Sequence, residues 1–581
     1  MMNTSGSALS GSTSSPETFA QIRAWLRICE QHDTCNCWAQ INGLDIGLPL
    51  RLLDVGQRSG RTDFRLVYGE MLAPQESRYM TLSHCWGVEP ILKLTSANLD
   101  AFCNGMSETQ LPKSFQDAIS IARYLDIRYL WIDALCILQD SSLDWKIQAQ
   151  TMAQVYSGSY LNIAASDSSN SSGGIFSERD KTLPVRFTVP LKYTPRADNI
   201  LLCHFDAFEI DMMRSPLNRR SWVMQERYLA PRVVHYTRHM VYWECTASTA
   251  SEALPPALES GFGDIRQLKK LDARVLQTHN LSSEVTQAVY ALWDNLVALY
   301  TRSNLTYGSD KAVAIQGVAK VICRYLRLDE SSAYVNGLWR PRFVDGLMWI
   351  CERSQNRDSG GPLDSGACSW SWLSRRGKIC SSHGGGTPVS QVLEIQADCI
   401  LNTPTAAAGG FARLRGPMCR AVVSFAMSAE IDNPMWQPFQ ILLGGEIMVA
   451  TKSCTLYFDD PEQYITTEAS EHEIYLLLGG AMIDGECTAD PDVPEKAPSW
   501  SGHGYECLAV KPVERRPGHF RRAGKVVLAI LENDDEGRRT LATVEEDKRL
   551  RNVVDTQFRT HDISEDLYES VDDFMYTITL V

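Results

Sequence analysis

The spacing of apolar positions changes period four times between residues 78 and 176, and the stretches between the changes predict five elements. Tyr79-Met80-Thr81-Leu82-Ser83-His84-Cys85-Trp86-Gly87 is a nearly unbroken apolar run ended by a glycine, as in a strand buried on both faces. After Pro112, a residue tolerated in a first helical turn, Phe115, Ala118, Ile119, Ala122 and Leu125 recur at the three-and-four spacing of an amphipathic helix that stops near Asp126. Tyr129-Leu130-Trp131-Ile132 then reads as a second buried strand with Asp133 at its end. Trp145, Ala149, Met152, Ala153 and Tyr156 share a second helix face, and Tyr160–Ala165 is a third short apolar run.

Strand, helix, strand, helix, strand predicts parallel crossover units and a three-layer, Rossmann-like α/β domain. Ligands of such sheets lie outside the carboxyl ends of the strands. Here those ends carry Ser83, His84, Asp133, Cys136 and Gln139.

Patterning divides the rest of the chain. Residues 1–18, rich in Ser, Thr and Gly, read as a disordered tail without the apolar centre of a targeting peptide. Residues 19–77 hold a short helix (Phe19, Ile22, Leu26, Cys29) and a strand at Leu48–Val55, a lead-in to the α/β unit over 78–252. Residues 265–350 are mainly helical, with Val285, Val289, Trp293, Leu296 and Tyr300 at helical spacing. Gly360-Gly361 through Gly366 mark a linker, and residues 365–581 read as mainly antiparallel β structure, with Leu393, Ile395, Ala397 and Cys399 alternating with polar neighbours. The run Ser166–Gly174 is a loop near the carboxyl edge of the sheet, either a mobile lid or a surface connector.

Charge and composition narrow the partners. The 581 residues carry a formal net charge of −14, which disfavours nonspecific binding to nucleic acid or to anionic membrane. No apolar run approaches the ~20 residues that span a bilayer. Seventeen cysteines scattered through a long chain without a secretory signal read as reduced, packed thiols in a cytoplasmic protein. Cys29, His32, Cys35 and Cys37 place four metal-ligand types within nine residues. Structural zinc usually ties distant segments together, so the reading is a helix end with packed Cys and His, and a zinc site is the alternative.

Phosphate-loop, His-Glu-x-x-His and Gly-x-Ser-x-Gly signatures are absent. The candidate chemistry therefore rests on the strand ends. His84 and Cys136 are a candidate base and nucleophile, against the alternative of a satisfied histidine and a core thiol. Asp133 needs a donor, a cation or a ligand, with Arg219 and Arg220 as structural partners and a substrate as the alternative.

Three blocks in order carry a resemblance to a known family: 79–87 above; Leu111 through Trp131-Ile132-Asp133-Ala134-Leu135-Cys136-Ile137-Leu138-Gln139-Asp140 to Tyr156; and Arg220-Ser221-Trp222-Val223-Met224-Gln225-Glu226. Together with Pro231-Arg232-Val233 and Tyr242-Trp243-Glu244-Cys245 they resemble the fungal heterokaryon-incompatibility (HET) domain over roughly 79–252. The resemblance implies a cytoplasmic effector of programmed cell death triggered when unlike fungal cells fuse. It also implies a fold similar to the Toll/interleukin-1 receptor (TIR) domain, some members of which hydrolyse NAD, so NAD is a candidate substrate. Such chemistry needs a carboxylate beside a developing oxocarbenium ion. Many relatives carry Glu where this chain has Gln148, which leaves Glu226, Asp133 or Asp144 for the role. The implied site comprises Asp133, Glu226, His84 and Cys136 for chemistry and Ser83, Trp86, Gln139, Arg220 and Gln225 for binding. The alternatives are an interaction module that binds protein partners or itself through the HET domain, and an enzyme of small-molecule metabolism on the same scaffold.

Overall fold

A computed structural model of the chain describes residues 9–36, 47–56, 63–73, 78–179, 187–190, 199–202, 207–255, 281–303, 305, 307–352, 363, 365–381, 387–388, 390–397, 410–425, 439–443, 446–449, 454–459, 471–482, 504–529, 531–533, 539–541, 556–558, 563–572 and 575–581. It has mixed α/β content with a large central sheet and a β-rich C-terminal region. Two compact units divide it: Met1–Leu292 with Ser303–Leu305 and Val313–Arg327, and Trp293–Arg302 with Thr306–Ala312 and Leu328–Val581.

The first unit is built on a nine-stranded sheet: β1 (Arg51–Asp54), β2 (Asp63–Tyr68), β3 (Tyr79–Ser83), β4 (Met106–Ser107), β5 (Tyr129–Trp131), β6 (Leu161–Ala164), β9 (Arg232–Tyr236), β10 (Val241–Cys245) and β11 (Thr249–Ser251). Phe187–Pro190 and Asn199–Leu202, β7 and β8, form a separate hairpin. The order is β11-β10-β9-β6-β3-β5-β1-β2-β4. The four central strands β9, β6, β3 and β5 run parallel, with Met80 opposite Leu130 on one side and Leu161 on the other. Antiparallel strands close both flanks. Buried runs such as Met80, Leu82, Leu130, Trp131, Ile163, Val233 and Val234, all at most 1% exposed, explain the central positions, since parallel strands have no wet face.

The helix after Pro112 spans Lys113–Tyr124 and buries Phe115, Ala118, Ile119 and Ala122. It ends where Asp126 turns to φ 60°. The chain crosses from β3 to β5 in one direction and from β6 to β9 in the other, so the strand order reverses between neighbours β3 and β6. In α/β sheets such a reversal opens a crevice at the carboxyl ends. The helix Ser142–Ser157 buries Ala149, Met152, Ala153 and Tyr156 as expected, but Trp145 is 36% exposed. Gln148 takes the buried position instead.

Several expectations change. The lead-in is part of the sheet: β1 pairs with β5 and β2 with β1. The described part of the N-terminal tail is ordered. Ser15 caps the helix Pro16–Cys29 with Pro at its start, and buried Thr13 bonds to Ser177. Its hydroxyls, which suggested disorder, serve as caps and bridges. The Ser166–Gly174 run is likewise stitched down. Ser166 and Ser171 are fully buried, Ser114 N donates to Ser171 O at 2.9 Å, and Asn170 Oδ1 accepts from Ser172 and Gly173 N–H. Gly87, at φ 79°, has no room for a Cβ because Asn170 lies 2.5 Å from that position.

The helices Ser283–Thr301 and Asp310–Tyr325 carry residues of both units. In the second unit, an eleven-stranded sheet is antiparallel except where His519–Ala529 runs parallel to Met575–Leu580. The expected strands at Cys454–Phe458, Ile474–Leu478 and Cys507–Val510 lie in it. The strand Gln391–Ala397 departs from simple alternation. A bulge between Val392 and Glu394 leaves Leu393 48% exposed while Ile395 is buried. Cys399 and most of the glycine linker lie outside the described residues.

Candidate functional site

Two neighbouring parallel strands deliver the centre of the site. β3 ends at Ser83, so His84 emerges at its carboxyl end, and β5 ends at Trp131, so Asp133 opens a one-turn helix, Asp133–Cys136. His84 Nε2 lies 2.8 Å from Asp133 Oδ1, and Nδ1 lies 3.0 Å from Ser171 Oγ. The Ser171 hydroxyl also donates to the Cys85 carbonyl at 3.0 Å, which fixes it beside the ring. Trp86 Nε1 donates to Asp133 Oδ2 at 2.8 Å, and the Ala134 N–H donates to Oδ1 at 2.7 Å. Phe115 meets the imidazole edge-on at 4.8 Å. Arg220 donates to the His84 carbonyl.

Burial works against charge on Asp133, but His84, Arg220 and Trp86 outweigh it and hold the carboxyl below the usual carboxylate range. Asp133 is thus an anion with three donors on its two oxygens.

Glu226 behaves oppositely. It sits on the helix Ser221–Leu229, is 3% exposed, and its Oε2 has no hydrogen-bond partner. Burial raises its pKa above the usual range, opposed by Arg220 and the Ser83 hydroxyl and reinforced by Asp133. Ser83 in turn accepts from Asn162 Nδ2 at 3.0 Å. Tyr156, fully buried nearby, is raised by burial and by Glu226 and Asp133, so its phenol stays neutral. Two carboxyls whose surroundings push their protonation apart is an arrangement common at active sites, although buried ion networks produce it too.

Other expectations fail on geometry. His84 and Cys136 do not pair, because both imidazole nitrogens are taken by Asp133 and Ser171. The Cys136 thiol is pushed up to about 12 by burial, which denies it nucleophilic thiolate character. Asp133 is bonded to His84 and Trp86 rather than to an arginine side chain, and Arg219 is exposed. Gln225 accepts from Gly317 N at 3.0 Å and so docks the helix Asp310–Tyr325. Gln139 donates to the Asp133 and Ile137 carbonyls and closes its own turn. Asp144 binds Arg51 and the Leu138 N–H, a structural task.

Of the four N-terminal metal-ligand residues, Cys37 lies outside the described residues. Cys29, His32 and Cys35 gather instead with Cys245 from the end of β10, their ligand atoms all within 4.8 Å of one another. Sequence reasoning also missed Ser171 and Asn162. One is a serine among several in its run, and the other reads as an ordinary strand residue.

A mixed α/β sheet with a buried histidine bonded to a half-buried Asp133–Trp86 pair at its carboxyl ends defines the class. Residues 79–226 match the family model described as Heterokaryon incompatibility protein (HET), so the chain carries a HET domain over that stretch. No curated protein and no solved structure matches it. No described helix is long and apolar enough to cross a membrane.

Proposed function

We propose that the chain is a heterokaryon-incompatibility-type effector that triggers or regulates programmed cell death in the cytoplasm after unlike fungal cells fuse. The HET domain over 79–226 carries this reading. The domain acts as a TIR-like module that works by contact with a partner protein or with another copy of itself. Two features support contact over turnover. Asp133 already accepts three hydrogen bonds from its own domain. The helix Ser142–Ser157 leaves Leu143 and Ile147, four residues apart on one face, 67% and 48% exposed, an apolar pair that water disfavours and a partner can cover.

Glu226 supports a second reading, NAD hydrolysis. Its unpartnered Oε2 in a buried setting suits an acid that donates a proton. A carboxyl whose charge burial disfavours is less suited to stabilise an oxocarbenium ion, and Gln148 adds no charge, so contact remains the first reading.

The test is inducible expression of the full chain in a fungal host. Growth arrest is expected, and Leu143→Glu, at a side chain 67% exposed, should relieve it without lowering the thermal midpoint. Abundant, folded and harmless wild-type protein contradicts the effector reading.

A further inference from the structure

We propose that Cys29, His32, Cys35 and Cys245 form a four-ligand structural zinc site that pins the N-terminal helix to strand β10. Cys29 is the last residue of the helix Pro16–Cys29, His32 N bonds back to Cys29 O at 2.9 Å, and Cys35 N bonds to His32 O at 3.1 Å. Successive turns therefore stack three ligand side chains on one short stretch. Cys245 ends β10, 213 residues after His32. This is the distant fourth ligand that Cys37, two residues from Cys35, cannot be.

The geometry fits zinc. Tetrahedral zinc with Zn–S of ~2.3 Å and Zn–N of ~2.0 Å sets its ligand atoms about 3.5–3.8 Å apart. His32 Nδ1 lies 3.7 Å from Cys35 Sγ and 3.9 Å from Cys245 Sγ, and no two of the four ligand atoms are more than 4.8 Å apart. Cys29, Cys35 and Cys245 are each at most 2% exposed, and none is in a disulfide. Three sulfurs and an imidazole packed this closely leave little for ordinary apolar packing to explain.

The surroundings are those of metal-bound thiolates. Each sulfur has its own donor: Arg232 Nε at 3.2 Å from Cys29 Sγ, Thr246 Oγ1 at 2.8 Å from Cys35 Sγ, and Ser248 N at 3.3 Å from Cys245 Sγ. Outer donors of this kind orient and stabilise ligating sulfur. Arg232 also brings positive charge to a centre that would otherwise be net negative, with three thiolates on one Zn²⁺. Four protein ligands leave no open position, so the metal is structural rather than catalytic. What it would secure is a helix already laid against the sheet edge by Trp25 stacking on Trp243 and by Thr18 donating to Glu252 at 2.6 Å.

The experiment uses the full chain, purified under reducing conditions without chelator and analysed for metal by mass spectrometry. About one zinc per chain is expected, and Co²⁺ replacement should give the intense visible bands of a tetrahedral thiolate site. Cys245→Ser and His32→Ala should each lose most of the zinc and lower the thermal midpoint, while Cys37→Ser keeps both. Where a variant fails to fold, release of zinc from the wild-type chain by a thiol-specific mercurial reports the same ligands. A metal-free wild-type chain that takes up neither Zn²⁺ nor tetrahedral Co²⁺ overturns the site. So does zinc that stays at wild-type level in Cys245→Ser, or a disulfide among Cys29, Cys35 and Cys245 found by peptide mapping of the freshly purified protein.

Discussion

His84 Nε2 sits 2.8 Å from Asp133 Oδ1, and this bond ties together the carboxyl ends of the paired parallel strands β3 and β5. Asp133 also accepts from Trp86 and from the Ala134 N–H, so its charge is satisfied within the domain. Removing that charge leaves two ring donors facing a weaker acceptor.

Asp133→Asn should therefore destabilise the first unit by about 2–4 kcal/mol at neutral pH, the scale for breaking a largely buried charged hydrogen-bond pair. Denaturant unfolding followed by tryptophan fluorescence measures it. Because the folded carboxyl is depressed, its stabilisation is present above the unfolded value near ~3.9 and is lost as pH falls through the lower folded value. The difference between wild type and Asp133→Asn should thus shrink on acidification below about pH 4. A variant of unchanged stability at pH 7 contradicts the structural role.

Glu226 gives the opposite sign. Its carboxyl is raised by burial, so the folded chain holds a proton that the unfolded chain releases, and stability falls as pH rises above the ordinary carboxylate value. Glu226→Gln should match wild type near pH 4 and be more stable at pH 8, as read from thermal midpoints. Equal midpoints at pH 8 would argue that Glu226 is not buried as described.

Lys311 makes a pH signature in the second unit. It is 3% exposed, donates to the Trp372 carbonyl at 3.1 Å and to the Arg375 carbonyl at 2.5 Å, and burial pulls its pKa down to about 7. The folded state lacks a proton that the unfolded state binds between about pH 7 and pH 10.5, so stability should rise with pH across that window and level off below it. Lys311→Met should flatten the rise. Parallel midpoint-versus-pH curves for the two proteins count against it.

Much of the first unit was legible because burial on both faces leaves an uninterrupted apolar run, and Tyr79–Ser83 and Tyr129–Trp131 show one. The helix Lys113–Tyr124 was legible for the matching reason, its apolar residues recurring every three or four positions. What stayed hidden depended on the partner of a polar side chain. The serines at 166–174 have the composition of a loose loop, but whether a hydroxyl meets water or the His84 ring is decided by contacts 87 residues away in sequence. Spacing also placed Cys37 beside Cys35, whereas the fold brings up Cys245 from across the sheet. Leu393 was misjudged because one bulge inverts alternation locally. His84 and Asp133 were marked as candidates by their place after a strand and Trp86 only as a binding residue, and their bonding to one another was beyond reach of the sequence.

The central claim is that this carboxylate cluster is closed upon itself and that the HET domain acts by contact. Nicotinamide release from NAD by the purified full chain tests it most directly. No release above that of a mock purification is expected, with Glu226→Gln and wild type alike. Robust release by the wild-type chain, abolished by Glu226→Gln without loss of thermal stability, would contradict it and make Glu226 a catalytic acid.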